Sequence, residues 1–505
     1  MNHIIKILIL FFLYTAVQGQ NNPDIKRTMH WYFGYNAGLD FSSGAPVADT
    51  NGISWSEEDC YTMSDTCGEL LFYGNADRVY NKEHQELSNG ILVGYNGNPT
   101  QSIAIPQPEN DSIYYIFYDE NGGTVFGQFK YAILNINKNN GLGEIISKDN
   151  ILLDSLATEK VAAVHHCNNK DIWVVSKQKG IWLSPSPIYA WLLTETGLNL
   201  TPVMSDVVNM MIENGDGYFR FTSDGKMAAA AYIATDFYPN YVKDSCYVEL
   251  YKFDNCTGIF SNTISLQLLF PYGICFSPDN TKLYVEAGGE GITDYLVDTA
   301  YIFQFDITNY DSTEIINSKT IINSGPIAAH FQIAIDGKIY VADMDTNLGY
   351  YCGYDKLGVI NNPNMPGLAC NYVPESIDLM GKYHISGFPN FVDSYFRSFN
   401  YHDCGDTISP VEPNKQADIF IPTAFTPNND GQNDILYVRG GLKNMKIKIF
   451  NQMGLKVFET NEQSKGWNGI YKGKAQPIGN YVYIFKGTTT QGKEITKNGV
   501  LSLIR

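Results

Sequence analysis

The sequence predicts an all-β protein, a six- or seven-bladed β-propeller followed by a small C-terminal β-sandwich, on three observations. First, the 505 residues include 35 Tyr and 45 Gly, while charged residues make up only 17%. That balance favours pleated strands and tight turns over salt-bridged helices. Second, a turn rich in Asp, Asn and Gly followed by a short aromatic and aliphatic run recurs through the first four fifths of the chain. Third, after Tyr395 the charge reverses sign and the spacing of turns changes. The length alone calls for more than one domain. A net charge of -18 excludes a protein that coats nucleic acid by neutralising phosphates.

The N-terminus opens with one Lys, an apolar run from Ile7 to Tyr14 and then small residues, with Val17 and Gly19 at the positions that favour a cut after Gly19. Residues 1–19 therefore read as a secretory signal peptide. No later stretch reaches about 18 uninterrupted apolar residues, so no transmembrane segment is expected in the mature chain. Export permits disulfides. Short separations nominate Cys60 with Cys67, Cys246 with Cys256 and Cys352 with Cys370, and the odd total of nine leaves at least one free thiol. Zinc ligand spacing is absent. His165, His166 and Cys167 are consecutive, and on a strand they point to alternate faces.

The repeat occupies residues 21–395. Its turns carry Asp65, Asn110, Asn169, Asp224-Gly225, Asp279 and Asp336-Gly337, and from Asn169 onward the steps are 55, 55 and 57 residues. One four-stranded blade cannot bury both faces, so blades stack around an axis. The clearest copies are Phe276-Ser277-Pro278-Asp279-Asn280-Thr281-Lys282-Leu283-Tyr284-Val285 and Ile333 to Val341. They resemble the blade motif of WD40/YVTN-like propellers of secreted bacterial proteins. The segments Leu357–Asn364 and Gly387–Phe391 are expected to complete the ring. Two β-sandwiches with similar turns are the alternative.

Residues 396–417 form a polar, proline-bearing linker. From Gln416 to Arg505 ten Lys and two Arg face three Asp and three Glu, a net of +6 that leaves -24 for the rest. Alternation in Lys446–Phe450 and the turns that follow predict a small antiparallel sandwich over 418–505. Its opening string, Ile421 to Asp434, contains Pro422, Phe425, Pro427, Asn428, Asp430, Gly431, Asn433 and Asp434. Later landmarks are Phe450, Asn451, Gly454, Trp467, Gly469, Gly479 and Tyr481. Together these residues resemble the gliding motility-associated C-terminal domain, the type B sorting domain of the type IX secretion system in Bacteroidota. The resemblance implies passage across the outer membrane by way of that translocon, ending on the cell surface or in the medium.

Trp467 reads as core and the glycines as turn residues. Asn428, Asp430 and Asp434 alternate oxygen side chains around Gly431, a weak calcium candidate against an Asx-rich turn, since the distant bidentate Glu of an EF-hand is missing. No other cofactor is expected. The segment Glu159-Lys160 before Val161–His166 is similar to a recurrent stretch of these propellers. No H-E-x-x-H, G-x-S-x-G, P-loop or complete G-x-G-x-x-G occurs. The expected role is non-enzymatic binding of glycan or a surface protein, in adhesion or gliding-related assembly, with Trp55, Trp182 and Trp191 as stacking aromatics. A polysaccharide hydrolase or lyase using a carboxylate pair in the funnel, and a structural role in a surface assembly, are the alternatives.

Overall fold

The computed structural model describes residues 23–92, 102–120, 127–179, 187–207, 217–233, 246–288, 300–325, 327–345, 354–385, 387–397, 421–422, 424–428, 435–438, 442–463, 465–489 and 494–504. The proposed signal peptide lies outside them. Among the described residues no helix is long and apolar enough to cross a membrane. The chain divides into two compact units, Met1–Cys404 and Gly405–Arg505.

Among the described residues of the first unit six sheets follow one another, the second made of two four-stranded antiparallel meanders, so seven blade-like units are numbered here as sheets 1 to 7. Sheet 1 has three strands (His30–Phe33, Ala37–Asp40, Val47–Ala48). Sheets 2 and 3 begin with Tyr61–Ser64 and Ile103–Pro106 and have four strands each, and one parallel pair, Ser88 with Glu144, joins their outer strands. Sheet 4 begins with Ala162–His165, and two short strands follow on its third. Sheets 5, 6 and 7 begin with Phe219–Phe221, Ile274–Phe276 and Ile327–Ile333, with four strands each in simple sequential order. The absence of crossovers within these meanders is what a propeller requires and a Greek-key sandwich forbids.

Burial follows the same geometry. The first strands of sheets 2, 3, 5 and 6 are buried along their whole length, and those of sheets 1 to 3 and of sheets 4 to 7 lie successively against one another. The fourth strands, such as Ile259–Gln267 and Tyr372–Asp378, are largely exposed. Each blade therefore turns an apolar edge to the axis and a polar edge to water.

The repeated turns all fall on one hairpin, between the first and second strands of sheets 2 to 7. Their side chains tie the turn rather than face a ligand. Asp65 Oδ1 accepts the amides of Cys67 and Glu69, and Asp224 Oδ1 accepts the Thr222 hydroxyl at 2.7 Å and the Lys226 amide. Asp279 Oδ1 accepts the hydroxyls of Ser277 and Thr281, and Asp336 Oδ1 accepts the Lys338 amide. Gly225 and Gly337 adopt φ of 68° and 77°, the left-handed region that a Cβ disfavours.

One expectation is corrected here. Leu357–Ile360 does belong to the ring, as part of the third strand of sheet 7. Gly387–Phe391 forms no strand and instead runs along the axis.

The second unit is a five-stranded sheet in the order Ala424–Phe425, Glu494–Leu503, Gly479–Thr489, Leu442–Phe450, Lys456–Thr460, with a small hairpin of Ile470–Tyr471 and Lys474–Ala475 beside it. These sheets fit a small sandwich. The expectation of a wholly antiparallel one is corrected, because Ala424–Phe425 pairs parallel with Ser502–Leu503. Alternation in Met445, Ile447 and Ile449 sends these residues inward, and the intervening lysines face out.

Candidate functional site

Segment Phe388–Phe396 fills the axis of the ring. Asn390 donates its amide to Cys60 O (2.9 Å) and its side-chain N–H to Val161 O (3.1 Å), and its Oδ1 accepts from the Arg220 guanidinium. Asp393 accepts the Phe221 amide at 2.7 Å, and Ser394 Oγ accepts the His165 amide at 2.9 Å. Phe388 packs edge-on against Trp31 and Phe33, at 5.4 and 5.2 Å. One short stretch thus touches the first strands, or the residues just ahead of them, in sheets 1, 2, 4 and 5. Only a position on the axis allows that. Its aromatic and aliphatic side chains are buried, so the centre is a packed core. Burial also pushes the Asp393 carboxyl up to about 7, against the pull of Arg220.

A partly buried polar cluster stands at the end of the axis where the first strands begin. Glu58 and Glu159 each lie three residues ahead of a first strand, and the Tyr272 hydroxyl meets both, at 2.6 and 2.9 Å. Glu159 also accepts the Gly217 amide at 3.0 Å. Nearby, burial raises Glu286 to about 8, with the Glu58 charge adding to the effect. His330 hydrogen-bonds the Tyr218 hydroxyl at 3.0 Å, and burial drops it to about 3. Glu159-Lys160 thus acquires a structural setting, with the Lys160 ammonium 4.9 Å from the centre of the Tyr232 ring. Glu58, Tyr272 and Glu286 were not singled out from sequence. Their shared signal is position, just before or along strands at one blade register.

The three tryptophans part company. Trp191 is core, 1% exposed and packed on Phe129 and Tyr189, which corrects its assignment as a ligand aromatic. Trp182 lies outside the described residues. Trp55 is 55% exposed and lies 4.2 Å from the Tyr35 ring, while the Tyr35 amide donates to the carbonyl of Tyr383, itself 44% exposed. Glu57 follows Trp55 by two residues and lies in a bend. Partial burial raises its carboxyl.

The cysteine pairings are also corrected. Cys60 and Cys67 are not joined, nor are Cys246 and Cys256. A strand separates the members of each pair, Tyr61–Ser64 in one case and the eight residues Tyr247–Asp254 in the other. At about 3.3 Å per residue these strands hold the sulfurs beyond bonding reach. Cys256 bonds instead to Cys167, with Cα atoms 4.9 Å apart, and so staples the hairpin of sheet 4 to sheet 5 across 89 residues. Cys352 lies outside the described residues, and Cys370 is buried. Replacing Cys167 with Ser is expected to cost about 2–4 kcal/mol. The test is a urea midpoint for the oxidised protein, and an unchanged midpoint would contradict it. The neighbouring imidazoles diverge, His165 Nδ1 to Ser394 Oγ and His166 Nε2 to the Cys256 carbonyl.

In the second unit Trp467 is 1% exposed at the centre of a cluster with Phe425 and Tyr481, at 5.2 and 5.0 Å. Asn451 Oδ1 accepts the amides of Met453 and Leu455, and Gly454 completes that turn at φ 76°. Gly469 and Gly479 also have positive φ, and the Tyr481 hydroxyl donates to Pro477 O. Phe450 is half-buried on the outer side of the sheet. Pro422 and Pro427 are half-buried and Asn428 is exposed, while Asp430, Gly431, Asn433 and Asp434 lie outside the described residues. Among the described residues no group of three or more His, Cys, Asp or Glu is placed to hold a metal ion.

No curated protein matches the sequence significantly. Among solved structures, the chain is similar to a Bacteroides uniformis protein with a provisional 6-phosphogluconolactonase name. The two are 14% identical over 69% of this chain and 97% of that one, with TM-score 0.42. It is also similar to the periplasmic gluconolactonase of Pseudomonas aeruginosa, 11% identical over 84% and 92%, TM-score 0.33. Hydrazine synthase of Kuenenia stuttgartiensis is 9% identical over 76% and 91%, TM-score 0.34. Scores this low establish no shared activity, and the propeller rests on the strand order above. The family model for the CHU_C type IX secretion signal domain matches residues 419–503. The C-terminal unit is thus a type IX secretion signal domain, and the chain that carries it is exported to the cell surface or the medium.

Proposed function

We propose that the chain is a surface-delivered binding protein, in which the C-terminal domain is the export signal and the propeller is the cargo that holds a glycan. The observation that carries this reading is the Trp55 platform. A Trp more than half exposed, packed at a tilt against Tyr35 beside an exposed Tyr383, presents rigid aromatic area at low entropic cost. A filled axis supports binding at the rims over passage through the ring.

Trp55→Ala in the full chain is expected to weaken glycan binding by about 2 kcal/mol, some 30-fold, with little change in stability because the ring is exposed. A glycan array followed by titration of the best ligand checks this. Equal affinity for the variant and the parent would exclude the platform.

A second reading, polysaccharide hydrolysis, draws on the Glu58 and Glu159 carboxylates around one Tyr hydroxyl, near Glu286, whose carboxyl burial raises. Turnover of an array glycan that disappears in Glu159→Gln would favour it over binding alone.

A further inference from the structure

The five-stranded sheet of the C-terminal unit buries one face and leaves the other open. Ile447 and Ile449, with Phe485 and Tyr483 opposite them, point into the core around Trp467, so the alternate positions of the same strands point outward. On the solvent face of an antiparallel sheet such positions are ordinarily polar. Here Val482, Ile484 and Val500 are 47%, 43% and 53% exposed. Val482 lies directly opposite Phe450 on one neighbouring strand and Val500 on the other, which sets three apolar side chains in one row across the sheet. Ile484 extends the row along the central strand. Lysines border it, with Lys448 opposite Ile484, Lys446 opposite Lys486, and Lys456 opposite Phe450 on the edge strand. Against these four the same face sets only Glu459 and Glu494. Lys446 reaches Glu459 at 2.8 Å and Lys456 bonds the same carboxylate, and together they pull it down to about 2. Among the described residues Lys448 and Lys486 have no carboxylate partner.

We infer that this face is the docking surface of the export signal domain, and that its partner is a protein of the export machinery presenting apolar side chains inside a rim of carboxylates. The inference rests on the assignment of residues 419–503 as a type IX secretion signal domain and adds which of its surfaces is read. Two features choose the partner. The apolar row gains from leaving water wherever another apolar surface covers it. Lys448 and Lys486 beside it call for groups of opposite charge, and such complementarity fixes register and speeds encounter. An apolar centre with a charged margin is also the ordinary layout of a protein contact. A bilayer surface fits it less well, because no outward position of these strands among the described residues is Trp or Tyr, the side chains that anchor proteins at a membrane interface.

The test follows the full chain in a host with a type IX system, scoring the propeller at the surface and in the medium by immunoblot. Val482→Glu with Ile484→Glu is expected to lower export about ten-fold, and Lys448→Glu with Lys486→Glu about five-fold. Lys472→Glu with Lys474→Glu, exposed on the small hairpin, changes the net charge as much as the second pair does and should export like the parent. The purified variants should melt as the parent does, because the replaced side chains lie outside the core. Should the apolar pair melt early, the lysine pair, which leaves the apolar row whole, decides the matter. A photo-crosslinking residue in place of Val500 should give, in intact cells, an adduct with a second protein that the lysine pair of changes removes. Parental export of both face variants, while the chain lacking Asp418–Arg505 stays inside, would overturn the docking face and leave the export signal standing. Export of that shortened chain would overturn both. An equal loss in the Lys472 and Lys474 variant would show that net charge is read instead of this face, and would also overturn it. So would the absence of an adduct, an adduct between two copies of this chain, or cosedimentation with phosphatidylglycerol vesicles that the face variants abolish.

Discussion

A chain ended after Ile385 is expected to lose the cooperative fold of the propeller, while one ended at Cys404 keeps it. The removed segment buries Phe388, Phe391, Val392, Tyr395 and Phe396. At about 1.5–3 kcal/mol for each buried side chain, their loss is on the order of 10 kcal/mol, comparable to the whole stability of an ordinary domain. Polar losses point the same way. Without Asn390 and Asp393 the buried Arg220 loses its paired carboxylate and one of its side-chain hydrogen bonds, keeping those to Gln332 and the Tyr218 ring, and a buried cation stripped of its counter-charge is strongly destabilising. Even a fragment ended at Ser394 sacrifices two fully packed aromatics. Thermal unfolding followed by near-UV circular dichroism checks the prediction. A single cooperative transition in the chain ended after Ile385, within a few degrees of the longer one, would contradict it.

How much of this was legible in the sequence depends on distance along the chain. The repeated Asp and Gly turns are local devices, each completed within about five residues, so their spacing revealed the blades directly. The sorting motif was legible for a related reason, since Asn451, Gly454 and Trp467 serve turns and a core inside one small unit. What stayed hidden was every feature that joins remote segments. Cys167 and Cys256 meet because neighbouring hairpins abut, although nearer cysteines tempt a local pairing. Gly387–Phe391 looked like another edge of the ring because its composition is that of a strand, yet with no partner strand it became the axial core. Trp55 and Trp191 look alike in sequence. Only the placement of Trp191 on an inward register, against Phe129, separates an anchor of the core from an exposed platform.

The second large effect concerns export. The type IX signal domain occupies residues 419–503 and has its own buried core around Trp467, so its removal leaves the Met1–Cys404 unit intact and takes away only the address. In a host with a type IX system, a chain lacking Asp418–Arg505 is expected to fold in the periplasm and to be almost absent from the surface and medium. Trp467→Ala should reproduce much of that loss, because truncating a buried Trp costs about 3–5 kcal/mol, a large share of what so small a domain possesses. Its propeller should meanwhile melt as before.

The most direct measurement is protease shaving of intact cells that make the full chain or the chain lacking Asp418–Arg505, with immunoblotting of cells, periplasm and medium for the propeller. The full chain should be cleaved by external protease or recovered from the medium, and the shortened chain should stay protected inside. Equal surface exposure of the two would contradict an acidic propeller delivered by its C-terminal signal.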